Sequence, residues 1–121
     1  MAKVLIVDDS QTEMLRMTRF LEKQGHTVIT ADNGENGVKV AEAELPDVIL
    51  MDVVMPGLNG FQATRQLTRG TDTAHIPVII VTSKNQETDR IWGRRQGATA
   101  YLHKPVSEEQ LLATLQEVLP S

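Results

Sequence analysis

Several polar residues directly follow short apolar runs in this chain, and their types suit one kind of reaction. They are Asp8 and Asp9 after VLIV, Asp52 after VILM, Thr82 and Ser83 after VIIV, and Lys104 just beyond the short run at 101–102. Carboxylates can hold a hard cation, one carboxylate can act as a nucleophile, and a hydroxyl and an ammonium can bind phosphoryl oxygens. None of these residues is specific alone, but together they predict a phosphoryl-transfer site.

Strand-like and helix-like segments alternate along the whole chain, which predicts an α/β fold. The strand candidates are rich in Val and Ile and cover residues 4–7, 27–31, 48–51, 78–81 and 100–102. Helical patterns lie between and after them, at residues 11–24, 34–44, 60–68, 86–96 and 108–119. Three of the strands are continuously apolar, as in a parallel sheet that is covered on both faces.

Local signals mark two of the helix starts. Ser10 with Glu13, and Ser107 with Gln110, fit the S-x-x-E/Q pattern of a capping box. The NGENG segment at residues 33–37 is glycine-rich but lacks the Lys-Ser/Thr of a phosphate-binding P-loop, so it predicts an ordinary helix entry.

The predicted positions of these polar residues indicate that they form one site. Ligands of open parallel sheets bind at the carboxyl ends of the strands, and every candidate residue lies at such an end. Each also has a simpler interpretation. Asp8 and Asp9 could cap the first helix together with Ser10, and Asp52 could be a turn residue. Thr82 and Ser83 could cap the fourth helix, and Lys104 could be solvated. Their joint occurrence at one sheet edge favours the functional interpretation.

Composition limits the classes of protein to consider. A chain of 121 residues with 40% hydrophobic content suits a single domain over residues 1–121. A net charge of −4 without a basic cluster argues against nucleic acid as a partner. The absence of cysteine excludes disulfides and thiolate metal sites. The acidic start MAKVLIVDDS does not fit a signal peptide, and no apolar run is long enough to cross a membrane, so we expect a cytoplasmic protein.

Over nearly its whole length the chain resembles a response-regulator receiver domain of the CheY-like family. The resemblance rests on the motifs LIVDDS, ILMDVVMPGLNG, IIVTSK and YLHKP, which occur in the family's order and with similar spacing. It implies a doubly wound, flavodoxin-like parallel sheet of five strands in the order 2-1-3-4-5, with five helices.

The resemblance also implies roles for the site residues. Asp52 would be the phosphoacceptor, taking a phosphoryl group from a phosphohistidine of a sensor histidine kinase. Asp9, Asp52 and the Val54 carbonyl would bind Mg²⁺, with Asp8 acting mostly through water. Lys104 would bind the phosphoryl group, so the protein would be a signalling phosphoacceptor that promotes its own phosphorylation and dephosphorylation rather than an ordinary enzyme.

A conformational switch is implied in the same way. Thr82 would move toward the phosphoryl group, and Tyr101 would turn inward to fill the space that Thr82 leaves. The Lys104-Pro105 bond would be the family's cis peptide, although the residues alone favour trans. Trp92 is expected to contribute to packing rather than to partner contact.

Within the family, the segments GFQATRQLTR and TSKNQETDRIWGRRQGA resemble PilH-type receivers of the chemosensory system that controls type IV pili and twitching motility. This implies a CheA-like kinase and a downstream pilus or motility protein as partners of a monomer, with contact near Tyr101. A flagellar chemotaxis receiver and a phosphate sink are alternatives. Outside the family, a flavodoxin-like electron carrier is disfavoured because Asp8 and Asp9 would repel a flavin phosphate, and an aspartate-nucleophile phosphatase is disfavoured because a D-x-D pair is missing.

Overall fold

The computed structural model describes residues 2–84 and 86–119, in which strands and helices alternate as predicted. The elements are β1 Lys3–Val7, α1 Gln11–Lys23, β2 Thr27–Ala31, α2 Gly34–Glu44, β3 Val48–Met51, α3 Gly60–Arg69, β4 Val78–Thr82, α4 Glu87–Arg95, β5 Ala100–His103 and α5 Glu108–Val118. The strands form one parallel sheet in the order β2-β1-β3-β4-β5, which confirms the fold expected from the resemblance.

The three central strands, β1, β3 and β4, carry the core on both faces of the sheet. Along β1, Val4 and Ile6 pack in one cluster with residues of α1 and α5, whereas Leu5 and Val7 pack in another with residues of α2 and α3. Successive side chains of a strand point to opposite faces, so a continuously apolar strand supplies both layers. This explains why the apolar runs predicted these strands well.

Element boundaries agree with the sequence-based ones to within a residue or so. The difference that matters most for the site is at β4, which extends one residue farther than expected, through Thr82. Thr82 is therefore held in the sheet and fully buried, and the alternative that Thr82 caps the next helix is wrong, because the N-cap of α4 is Gln86.

One of the two predicted capping boxes forms completely. The Ser107 side chain accepts from the Gln110 N–H and the Gln110 side chain accepts from the Ser107 N–H. At α1 only half of the box forms: Ser10 Oγ accepts from the Glu13 N–H at 3.3 Å, but the Ser10 N–H donates to Asp8 Oδ1 at 2.8 Å instead of to Glu13. The Asp8 carboxylate thus accepts the hydrogen bond that the capping-box pattern assigned to the Glu13 side chain.

Trp92 departs from its expected packing role. Within Glu87–Arg95, Gly93 alone is buried, so α4 approaches the sheet through a glycine and presents its larger side chains outward. Trp92 is consequently 49% exposed. No helix in residues 2–84 and 86–119 has the length and apolarity needed to cross a membrane.

Candidate functional site

The register of the central strands brings the acidic residues together. Val7 of β1 pairs with Met51 of β3, so Asp8 and Asp52 follow at the same level of the sheet. The Asp52 N–H donates to the Val7 carbonyl at 2.9 Å, which continues the pairing one residue past the strands. The two carboxylates are therefore neighbours because of backbone pairing, not because of flexible side chains.

Asp8, Asp9 and Asp52 form one acidic cluster. Each offers a carboxylate oxygen, and these atoms lie within 4.8 Å of one another. Asp8 and Asp52 are 1% and 6% exposed, whereas Asp9 is exposed. Two negative charges at this separation repel by roughly 3 kcal/mol at an effective dielectric of 20. A set of hard oxygen donors that is open to solvent on one side fits Mg²⁺, which keeps several water ligands.

Lys104 reaches this cluster from β5. Its backbone N–H donates to the Thr82 carbonyl at 2.8 Å, which places the residue beside the end of β4. Its ammonium lies 2.8 Å from Asp8 Oδ2 and 3.6 Å from Asp52 Oδ2. Burial lowers the pKa of Lys104, but the hydrogen bond with Asp8 and the nearby carboxylate charges outweigh burial and raise the pKa above its ordinary value. At neutral pH the site therefore contains a charged ammonium.

The environment of Asp52 favours a proton more than that of an ordinary aspartate. Burial, followed by the charge of Asp8, raises the pKa of Asp52 from 3.8 to about 6. Lys104, the Val53 N–H, which donates to Asp52 Oδ1 at 2.8 Å, and a hydrogen bond with the Thr82 side chain act in the opposite direction. Asp52 is thus mostly ionised at neutral pH in an environment where additional positive charge is favourable.

Thr82 and Tyr101 are connected through one loop residue. The Lys84 N–H donates to Thr82 Oγ1 at 3.4 Å, and the Tyr101 hydroxyl donates to the Lys84 carbonyl at 2.6 Å. The Arg90 guanidinium lies 5.2 Å from the centre of the Tyr101 ring. A displacement of the loop at Thr82 would therefore move the acceptor that holds Tyr101.

The remaining predicted residues also lie around the cluster. Val54 is in the loop that follows Asp52 and is 56% exposed. The Lys104-Pro105 peptide is cis, as the resemblance implied and contrary to the expectation from the residues alone.

The class of the protein follows from a comparison of its sequence with known protein families. Residues 4–116 match the family described as the response regulator receiver domain. The chain belongs to this family. The flavodoxin-like carrier and the aspartate-nucleophile phosphatase are thereby set aside.

Individual proteins similar to this receiver support the same assignment. Protein PilH of Pseudomonas aeruginosa is 65% identical over 119 residues, which cover 98% of this chain and 98% of that protein. The chemotaxis protein CheY4 of Vibrio cholerae has a similar structure, with a TM-score of 0.93, 35% identity and coverage of 98% of this chain and 99% of that chain. A receiver domain of a sensor histidine kinase from Pseudomonas aeruginosa, solved with magnesium in its active-site cleft, has a TM-score of 0.91 and 29% identity and covers 99% of this chain and 98% of that chain.

Members of the receiver family share several biochemical properties. Receivers bind Mg²⁺ in their acidic pocket, are phosphorylated on an aspartate by histidine kinases and act on downstream targets. The cluster of Asp8, Asp9 and Asp52 is the acidic pocket of this receiver. Such a protein signals and is not a classical enzyme.

One contact beside the site has no signal in the sequence. Glu35, inside the NGENG segment, accepts a hydrogen bond from the Leu58 N–H at 2.9 Å, in the loop that follows Asp52. No short-range signal could have revealed this contact, because the two residues are 23 positions apart and meet only when α2 packs beside that loop.

Proposed function

We propose that Asp52 of this receiver accepts a phosphoryl group from the phosphohistidine of a CheA-like sensor kinase. A carboxylate oxygen forms a bond with phosphorus, the phosphorus–nitrogen bond breaks, and the histidine imidazole leaves with the electron pair of that bond. The product is an aspartyl phosphate, which receivers use as their signalling form.

The observation that supports Asp52, rather than its buried neighbour, is how the two carboxylates are engaged. Both Asp8 oxygens accept close hydrogen bonds of 2.8 Å, from the Ser10 N–H and from the Lys104 ammonium. Asp52 Oδ2 lies 3.6 Å from the same ammonium, which is longer than a hydrogen bond. Of the two buried carboxylates, Asp52 is therefore the one without a close hydrogen bond from Lys104, which leaves it better able to act as a nucleophile.

Asp9, Asp52 and the Val54 carbonyl would hold Mg²⁺, with Asp8 acting mostly through water. Bound Mg²⁺ supplies positive charge that offsets the clustered carboxylates and the phosphoryl oxygens. Lys104 and Thr82 bind the phosphoryl oxygens after transfer, and the same open site admits water for autocatalysed dephosphorylation.

Output would pass through the surface around Tyr101 and α4. Movement of Thr82 toward the phosphoryl group shifts the loop at Lys84, whose carbonyl holds the Tyr101 hydroxyl. The adjoining helix exposes Ile91 and Trp92, large apolar side chains of the kind that partner proteins bury.

The pathway we propose is the chemosensory control of type IV pili and twitching motility, through a downstream pilus or motility protein. Identity of 65% with Protein PilH over 98% of both chains supports this assignment. The receiver would act in the cytoplasm as a single-domain monomer.

The chemistry is tested by phosphorylation with acetyl phosphate or phosphoramidate in the presence of Mg²⁺. We expect intact-mass analysis to detect one added phosphoryl group in wild type, none in Asp52→Asn, and one in the control Asp32→Asn. Asp32 is also acidic and also follows a strand, β2, but is exposed and is not a member of the cluster. Wild-type labelling of Asp52→Asn would remove Asp52 from this role.

The pathway is tested separately by a phosphotransfer profile against the histidine kinases of the host. Fastest transfer from the kinase of the pilus system, together with altered twitching in a strain that carries Asp52→Asn, is the expected result. Preferred transfer from a flagellar kinase would overturn the pilus assignment and leave the assignment of Asp52 intact.

A further inference from the structure

The glycine-rich segment at the start of α2 has a feature that helix entry does not explain. Asn33 is the N-cap and accepts from the Asn36 N–H at 2.8 Å, as an ordinary helix start requires. Glu35 is not needed for this cap. Its Oε1 instead accepts from the Leu58 N–H at 2.9 Å, so the first turn of α2 is bonded to the loop that joins β3 to α3.

The surrounding backbone is shaped for this contact. Gly57 has a φ of +73°, and a Cβ atom there would lie 2.8 Å from Glu35 Oε1. A Cβ atom at Gly34 would overlap the Leu58 carbonyl. The two segments therefore approach closely because both lack side chains where they meet.

The Glu35 carboxylate is ionised in this contact. The hydrogen bond from the Leu58 N–H, followed by one from its own backbone N–H, lowers the pKa of Glu35. Hydrogen bonds from an N–H to a charged acceptor are stronger than those between neutral groups. Glu35 thus holds the loop although its side chain is exposed.

The loop that Glu35 holds is the one that leads away from Asp52. At its beginning, the Val53 N–H donates to Asp52 Oδ1 at 2.8 Å. At its end, the Gly60 N–H donates to the Val53 carbonyl at 3.0 Å, and Asn59 forms a capping box with Gln62. Residues 54–58 lie between these anchors, and Glu35 binds this stretch at the Leu58 N–H.

We propose that Glu35 is a positioning residue for the metal site: by holding Leu58, it restrains the loop whose Val54 carbonyl would help Asp9 and Asp52 to hold the cation. This inference rests on the proposed function, in which that carbonyl is a metal ligand. Groups that orient metal ligands typically change metal affinity by about 10- to 100-fold when they are removed. Because Glu35 acts through several backbone bonds, we expect the lower end of this range.

The main measurement is the Kd for Mg²⁺ by titration calorimetry of the full chain. We expect Glu35→Ala to raise the Kd by about tenfold. Glu35→Gln keeps an oxygen acceptor for the Leu58 N–H and should stay within about threefold of wild type. The matched control Glu42→Ala removes an equal charge from an exposed position on the same helix and should leave the Kd unchanged.

A second readout follows the contact without metal. Amide hydrogen exchange of Leu58 in the metal-free protein should be faster in Glu35→Ala and near wild type in Glu35→Gln. The melting temperature in EDTA should change little in either variant, since an exposed hydrogen bond adds little to global stability.

Two results would overturn the inference. One is a wild-type Kd in Glu35→Ala together with fast exchange at Leu58, which would mean that the loop contact does not influence the metal. The other is an equal weakening in Glu35→Ala, Glu35→Gln and Glu42→Ala, which would mean that charge alone acts. If wild type binds Mg²⁺ and is labelled on Asp52 while either result occurs, only the role of Glu35 fails; if wild type does neither, the proposed function fails with it.

Discussion

The ammonium of the partly buried Lys104 forms an ion pair with the buried Asp8 at 2.8 Å in the unphosphorylated protein. The same ammonium is 0.8 Å farther from the second buried carboxylate, at 3.6 Å from Asp52. A phosphoryl group on Asp52 would compete with Asp8 for Lys104. The resting site thus contains the cation that the product requires, bound to a different partner.

Removal of this ammonium should destabilise the resting protein. Lys104→Ala leaves two buried carboxylates without a cation, and breaking a buried pair from one side costs about 3 kcal/mol or more in free energy of unfolding. The measurement is urea unfolding in EDTA at pH 7.5. The control is Lys23→Ala, whose pair with Glu108 at 3.4 Å is much more exposed. We expect that control to change stability by less than about 1 kcal/mol, and an equally small change in Lys104→Ala would contradict the importance of the pair between Lys104 and Asp8.

Thr82→Ala should separate phosphorylation from signalling. In our proposal the Thr82 hydroxyl binds phosphoryl oxygens after transfer and is neither the nucleophile nor a metal ligand, so acetyl phosphate with Mg²⁺ should still label Asp52. The phosphorylation-dependent change in the NMR signals of Tyr101 should be greatly reduced, because Thr82 is linked to Tyr101 through Lys84. Lys104→Ala should lose that response more completely.

Thr82→Ser is the matched control for this experiment, since it retains the hydroxyl and should retain the response. If labelled Thr82→Ala changed Tyr101 as much as labelled wild type does, Thr82 would not transmit the signal.

Magnesium should stabilise the folded receiver. A cation that binds only the folded form adds RT ln(1 + [L]/Kd), which is about 1.4 kcal/mol at ten times the Kd. For a domain of this size the shift in Tm is several degrees. Asp52→Asn removes one negative charge at nearly constant shape, so it should melt higher than wild type in EDTA and respond less to Mg²⁺.

This prediction is checked by thermal unfolding of both proteins at constant ionic strength, with and without Mg²⁺. The clustered-acid site would be wrong if wild type showed no Mg²⁺-specific shift and Asp52→Asn melted no higher than wild type in EDTA.

Stability of the metal-free protein should depend on pH through Asp52. The pKa of Asp52 is about 6 in the folded protein and 3.8 as the ordinary value, so the folded form binds the proton more tightly. The contribution of Asp52 to the free energy of unfolding therefore falls as pH rises from about 4 to about 6 and stays low above that range. Between the two ends of this pH range, the contribution of Asp52 to the free energy of unfolding changes by at most about 3 kcal/mol.

The measurement is urea unfolding of wild type and Asp52→Asn in EDTA across this pH range. The advantage of Asp52→Asn should be small near pH 4 and greatest near pH 7. A constant difference between the two proteins across the range would show that Asp52 has an ordinary pKa.

Much of the fold could be predicted from local sequence. The continuous apolar runs of β1 and β3 and the cap at Ser107 act over a few residues, so their bounds and roles were predicted nearly correctly. Parallel strands expose their carboxyl ends on one edge of the sheet, and this general property was sufficient to group Asp8, Asp52 and Lys104 as one candidate site.

Other features departed from what the simple patterns indicated, one through a competing local contact and one through the packing of a helix on the sheet. Asp8 takes the Ser10 N–H that the capping pattern assigned to Glu13, because Asp8 lies directly before the helix at a strand end. Trp92 is exposed because α4 meets the sheet through Gly93.

By itself, the amino-acid sequence determined the α/β class, the strand ends and the chemical types that meet at the acidic pocket. Only the tertiary structure decided that Lys104 pairs with Asp8 across 96 positions and that Glu35 binds the loop at Leu58. The physical reason is that apolar periodicity and caps act within one turn or strand, whereas side-chain partners across the fold depend on register and on the close approach of backbones, which are set only when the whole sheet and its helices assemble.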